Sequence, residues 1–174
     1  MRSLLAIALL AAAAPAASAG TYLGIGIGTG PSLGNDSIPD AQSDGRSGRL
    51  LLGMAFGRLA IESEANRFGL LLNTDSYDST MLGVGLKYSV PLGNGFEVFG
   101  RGGLERTWLT SNAVRTGYEG SGDGYYLGAG FELRIRPFGS IFVDYERQSA
   151  SIDIPTGGYD QSAGMFTLGA TIDL

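Results

Sequence analysis

The sequence contains neither cysteine nor histidine among its 174 residues. Without cysteine the chain has no disulfide framework and no thiolate chemistry. Without histidine it lacks the one side chain that ordinarily titrates near neutral pH, which most hydrolytic sites use as a base. We therefore expect no catalytic, metal or cofactor site, and a protein that is not an enzyme.

Basic residues and long apolar runs are also scarce. Lysine and arginine total 12 against 17 acidic residues, a formal net charge of −5, which makes nucleic acid an unfavourable partner. No stretch of 18 apolar residues exists to form a transmembrane helix. A membrane-spanning role, if the chain has one, must use strands.

The first residues have the order of a secretory signal peptide. Met1-Arg2 is followed by an apolar run over 4–14 and by the small residues Ala17-Ser18-Ala19. We predict that residues 1–19 are a signal peptide and that residues 20–174 form one exported domain.

Apolar and polar residues alternate with period two in eight segments of roughly ten residues, the length of a membrane barrel strand. The segments run over 22–29, 46–56, 59–67, 80–90, 96–106, 125–133, 140–147 and 164–174. Their connectors are alternately long and short, as in outer-membrane barrels. The pattern predicts an all-β fold, an eight-stranded antiparallel up-and-down transmembrane β-barrel with both termini on the periplasmic side.

One face of each segment is apolar, and the other carries glycine and charge. An eight-stranded barrel is narrow enough for side chains to fill it. We predict that glycines make room inside for a lumen charge network that plugs the barrel; a proton- or ion-binding site is the alternative interpretation. The predicted network consists of Glu62, Glu64, Lys87, Arg101, Glu105, Glu132, Arg134, Asp144 and Glu146.

Two further sets of residues fall near the predicted extracellular ends. A ring of outward arginines would bind the phosphates of lipid headgroups such as lipopolysaccharide, or simply extend to the membrane interface. The ring consists of Arg46, Arg67, Arg106 and Arg147. We interpret a second set as interface aromatics: Tyr77, Trp108, Tyr125, Tyr126 and Tyr159.

Several stretches resemble the small outer-membrane β-barrel family that includes the OmpA transmembrane domain, OmpX and opacity-type surface antigens. They are LAIESEANRF, VFGRGGLE, YYLGAGFELRIRPFGSIFVDYERQ and FTLGATIDL. The resemblance implies a Gram-negative outer-membrane location, insertion by the barrel-assembly machinery, and extracellular loops that meet partners the sequence does not name.

Taken together, these patterns predict an integral outer-membrane protein with a structural and surface-interaction role and a plugged lumen. Two alternatives remain at this stage. One is a narrow porin-like channel for small solutes or ions, and the other is a soluble periplasmic lipocalin-like binding barrel.

Overall fold

The computed structural model describes residues 20–33, 41–72, 75–111, 120–135, 137–154 and 157–174. The predicted signal peptide lies outside these residues. Within the described ranges, no helix is long and apolar enough to cross a membrane.

Nine antiparallel strands make up the described part of the chain, eight of them long. Their bounds are β1 Gly20–Thr29, β2 Ser32–Leu33, β3 Ala41–Phe56, β4 Leu59–Leu72, β5 Asp75–Gly93, β6 Phe96–Ser111, β7 Gly120–Ile135, β8 Gly139–Ile154 and β9 Gly157–Asp173. Each long strand pairs with the next, and β1 also pairs with β9. The predicted closed eight-stranded up-and-down barrel is confirmed. The two-residue β2 follows β1 and also pairs with β9.

The closed ring has a defined stagger. Following the paired residues once round the barrel from Gly139 leads back to Ser149, ten residues further along β8. For eight strands this stagger corresponds to a strand tilt of about 40°. The resulting bore is one that side chains can fill.

Tight turns join strands at one end of the barrel. Gly57, with φ of 68°, lies in the turn between β3 and β4, and Asn94, with φ of 53°, lies between β5 and β6. Glycine and asparagine tolerate this left-handed conformation best. The C-terminus lies at the same end, where the Leu174 amide donates a 2.8 Å hydrogen bond to the Thr21 carbonyl.

At the opposite end the strands run further than the sequence pattern predicted. The expected long connector over 148–163 is largely paired strand, because β8 and β9 stay in register up to Ile154 and Gly157. The connectors over 68–79 and 107–124 are shortened in the same way. Alternation of hydropathy ends where the outward face leaves the apolar environment, whereas backbone pairing continues beyond it.

Large apolar side chains cover the outside of the barrel. Ile27 is 74% exposed and Leu104 is 67% exposed. A water-soluble monomer rarely exposes so large an apolar surface, so this belt fits a hydrocarbon environment. Further members of the belt are Leu23, Ile25, Leu50, Leu52, Leu82, Leu86, Leu127, Phe131, Ile141, Val143, Phe166, Leu168 and Ile172.

Glycines on the inner face allow bulky groups to pack in a narrow bore. Gly85 and Gly103 are directly paired on β5 and β6. A Cβ atom built at Gly103 would overlap the Val84 carbonyl oxygen and stand 2.6 Å from the Gly85 Cα. It would also approach the ring of Tyr126 to 2.8 Å. Backbone cannot move aside as a flexible side chain does, so this position requires glycine.

We expect Gly103→Val to destabilise the folded barrel by about 3 kcal/mol or more, at or above the upper end of overpacking costs. Gly100→Val is the matched control on the same strand, since a Cβ at Gly100 meets only one atom, at 3.9 Å. Urea unfolding in detergent micelles, with the folded fraction read from heat-modifiable gel migration, measures the stability of both variants. Equal stability of the two variants would contradict this account.

Candidate functional site

The inward faces of six strands, β3 to β8, carry the charged groups of a buried ion network. Eight of the nine predicted members are at most 5% exposed: Glu62, Glu64, Lys87, Arg101, Glu105, Glu132, Asp144 and Glu146. Arg134, the ninth, is only half-buried because it lies at the end that carries the tight turns. Along each of β4, β6 and β8, the network residues are separated by two or four positions. Because side chains alternate between the two faces of a strand, this spacing points all of them toward the barrel axis.

Arg49 is the member that sequence reasoning missed. Its Nη1 and Nη2 atoms each lie 2.7 Å from a carboxylate oxygen, on Asp144 and Glu146 respectively. Its Nε atom donates a 3.0 Å hydrogen bond to the Asn66 amide oxygen. The available signal was its parity, since Arg49 alternates with the outward Leu50 and shares the inward face of Leu51.

Arg101 forms a second centre. Its guanidinium lies 3.6 Å from Glu62, 3.6 Å from Asp144 and 3.9 Å from Glu64. The guanidinium carbon also lies 4.8 Å from the centroid of the Phe99 ring, within cation–π range. Asp144 thus bridges Arg49 and Arg101 and joins the two centres.

Lys87 extends the network toward the end with the tight turns. It forms an ion pair with Glu132, and its Nζ atom lies 4.5 Å from the Phe99 ring centroid. The hydroxyl of Tyr22 donates to Glu62. At the mouth itself, Arg134 Nε lies 2.7 Å from a carboxylate oxygen of Glu97.

The buried network has more carboxyl groups than cations. Three cations, Arg49, Lys87 and Arg101, face six carboxyl groups. Among the residues that the structure describes, neither carboxylate oxygen of Glu64 has a hydrogen-bond partner, and Glu105 receives one long bond, 3.4 Å from the Thr107 hydroxyl. Because buried charge is costly when unpaired, Arg49 and Arg101 are each shared by more than one carboxyl group.

Apolar side chains cover the network at the end away from the tight turns. Phe68, Leu109 and Ile152 continue the inward faces of β4, β6 and β8 beyond the ions, and each is at most 2% exposed. At the turn end, a cavity of about 20 Å³ lies beside Lys87 and Glu132. That volume holds about one water molecule.

In the described part of the chain, no group of three or more histidine, cysteine, aspartate or glutamate side chains is arranged to hold a metal ion. Five of the six buried carboxyl groups lie instead within 4.0 Å of an arginine or lysine nitrogen, and Glu105 is bound by the Thr107 hydroxyl.

The four ring arginines all lie on the outer face, opposite in parity to the network. Arg67 is bound to Asp78 at 2.7 Å, and Arg106 to Asp123 at 3.1 Å. Arg147 donates a 3.1 Å hydrogen bond to the Ser162 hydroxyl. Arg46, on β3, is exposed.

Strand register sets the four arginines at one level. Each step to the next strand changes the height by a little over one residue, because the stagger of ten is spread over eight strands. With this correction the four lie within about two residues of a common height. They border the apolar belt at the end away from the tight turns.

The predicted interface aromatics divide between the two faces. Tyr125 is 54% exposed on the outside, and Trp108 is half-buried there, with the guanidinium carbon of Arg106 lying 5.9 Å from its ring centroid. The prediction is wrong for Tyr126, which is fully buried inside the barrel. Consecutive strand residues face opposite sides, so Tyr125 and Tyr126 cannot share an interface. The side chains of Tyr77 and Tyr159 lie outside the described part of the structure.

Comparison with known proteins agrees with this geometry. Residues 3–172 match the family model of the outer membrane protein β-barrel domain. No curated protein matches the sequence.

Solved structures share the fold at low sequence identity. Neisserial surface protein A is 12% identical, with a TM-score of 0.73 over 90% of this chain and 99% of that one. Ail, the attachment invasion locus protein of Yersinia pestis, is 14% identical, with a TM-score of 0.56 over 89% and 98%. A major outer membrane protein of Thermus thermophilus is 15% identical, with a TM-score of 0.53 over 90% and 100%.

We expect Arg49→Met to destabilise the barrel by about 3 kcal/mol or more, because it leaves buried carboxylates without their cation. The double variant Arg49→Met with Glu146→Gln should recover part of that loss, since it also removes one of those carboxylates. Arg147→Met is the matched control on the outer face and should change stability by less than about 0.5 kcal/mol. Urea unfolding of the refolded protein measures all three; an Arg49 effect no larger than the Arg147 effect would refute the network.

Proposed function

The chain belongs to the outer membrane protein β-barrel domain family, and on that premise we propose that it is a non-enzymatic integral protein of a Gram-negative outer membrane. Its lumen is closed, and its roles are envelope structure and interaction at the cell surface. The observation that carries this proposal is the distribution of side chains, which is the reverse of that in an ordinary globular protein. Apolar side chains lie outside and paired ions lie inside. Hydrocarbon is the environment that favours this arrangement.

The filled interior supports a plug rather than a channel. Arg49 binds two carboxylates on β8, and Arg101 contacts carboxylates on both β4 and β8, so a passing ion would have to break several contacts. Phe68, Leu109 and Ile152 add an apolar layer beyond them. Buried apolar surface of this kind does not favour the passage of hydrated ions.

The same features argue against the other two classes. The carboxyl groups of the network are buried inside the bore, away from any substrate, and the chain has no histidine to serve as a base. A lipocalin-like carrier needs an apolar pocket inside and a polar surface outside. This barrel has the opposite distribution.

A planar bilayer experiment tests the closed lumen. We expect the refolded protein to give no stepwise conductance in concentrated potassium chloride, because a bore filled by buried side chains would not admit hydrated ions. A known porin reconstituted in the same bilayers provides the positive control. Reproducible unitary conductance steps from the pure protein would contradict the closed lumen and favour the narrow channel.

We further propose that the N- and C-termini and the tight turns face the periplasm, and that the signal peptide and the barrel-assembly machinery bring the chain to this orientation. In that orientation the arginine ring lies at the outer leaflet. Its guanidinium groups have the geometry to contact lipid phosphates in bidentate fashion. The ends of the strands beyond the ring then meet partners outside the cell.

The absence of native cysteine allows a direct test of orientation. We expect Asp160→Cys, exposed at the far end of β9, to react with a membrane-impermeant maleimide on intact cells. Arg58→Cys, exposed in a tight turn, should react only after the outer membrane is permeabilised. The opposite pattern of labelling would reverse the barrel in the membrane.

A further inference from the structure

The outer surface of β3 and β4 carries a groove immediately below two of the ring arginines. Its apolar walls are formed by Ile25 and Leu50, and its upper edge by Arg67 and Thr80. The open groove measures about 390 Å³, within the range of sites that hold small ligands.

Small residues create this depression in an otherwise bulky belt. Gly48 and Ala65 face outward on neighbouring strands. A Cβ atom built at Gly48 meets no atom of the described residues within 4 Å, so the space above it is open. The groove therefore reaches down to the sheet backbone at Gly48 and Ala65, next to the large side chains of the directly paired Ile25 and Leu50.

The charges at the edge of the groove are positive. Arg46 lies two residues from Gly48 on the same face of β3, and Arg67 lines the groove from β4. Arg67 is 68% exposed and uses one Nη atom to bind Asp78. A guanidinium has five donors in a planar fork, so this pair leaves donors for a phosphate. An exposed ion pair is also weak enough to rearrange.

We propose that this groove binds one lipopolysaccharide molecule, with a lipid A acyl chain lying over Gly48 and Ala65 and a phosphate bound by Arg46 and Arg67. The proposal rests on the orientation given under the proposed function, because only that orientation sets the groove in the outer leaflet. Charge and shape support this occupant together. The arginines select a phosphate, and the apolar depression directly beneath them accepts hydrocarbon attached to it.

The test is native mass spectrometry of the folded protein in detergent, titrated with purified lipid A. We expect one bound equivalent. Ala65→Leu and Gly48→Leu fill the groove without altering charge and should weaken binding about tenfold or more. Ala129→Leu is the matched control, an outward alanine on β7 away from the groove, and should bind as the parent does.

A second pair of variants tests the phosphate contact. Arg46→Gln combined with Arg67→Gln should reduce lipid A binding at least tenfold, whereas Arg147→Gln, elsewhere on the ring, should not. Phosphatidylglycerol serves as the competing anionic lipid. Equal binding of phosphatidylglycerol and lipid A, or full binding by the groove-filling variants, overturns the proposal.

The lipid A site and the proposed function can fail separately. Heat-modifiable gel migration shows whether each variant is folded, so a variant that fails to bind because it is unfolded can be set aside. If one groove-filling variant does not fold, the other decides the outcome. If the Asp160→Cys variant is labelled from outside the cell but the folded parent protein binds no lipid A, the proposed lipid A site is wrong and the proposed function stands. If labelling is reversed, the proposed function fails first.

Discussion

A strand that crosses hydrocarbon must find a partner for every backbone amide and carbonyl, and closure of the sheet through β1 and β9 meets that requirement. Once the ring is closed, each residue has only two directions available, toward lipid or toward the axis. The alternation of the sequence then determines the chemistry of both faces at once. The belt, the ion network and the arginine ring all follow from this single constraint.

The interior resolves the problem that the constraint creates. Polar groups directed at the axis are removed from water, and a buried ion without a partner costs several kcal/mol. Arg49 and Arg101 offset this cost by contacting two or three carboxyl groups each across the bore. Inward glycines such as Gly85 and Gly103 leave the space that the ring of Tyr126 occupies in the same narrow bore.

Sequence alone predicted the strand number, the closed topology and the direction of most side chains, because period-two alternation reports directly on the face. It missed Arg49, because Arg49 is followed by three leucines. These leucines make both faces of β3 apolar at this point, so the hydropathy pattern does not show which face is inward. It also could not predict which ions meet. Arg49 and Asp144 are 95 positions apart, and their contact depends on the stagger of the closed ring, which no single strand's sequence contains. The ends of β8 and β9 were missed because backbone pairing continues past the hydropathy signal.

The continued pairing of β8 with β9 gives the exposed end of the molecule a particular mechanical character. From Arg147 to Ile154 the hairpin extends seven residues past the arginine ring, roughly 20 Å of strand at the usual rise per residue. This projection is a hydrogen-bonded ladder rather than a loose loop. A molecule docking there meets a surface that is already ordered, so association sacrifices little chain entropy.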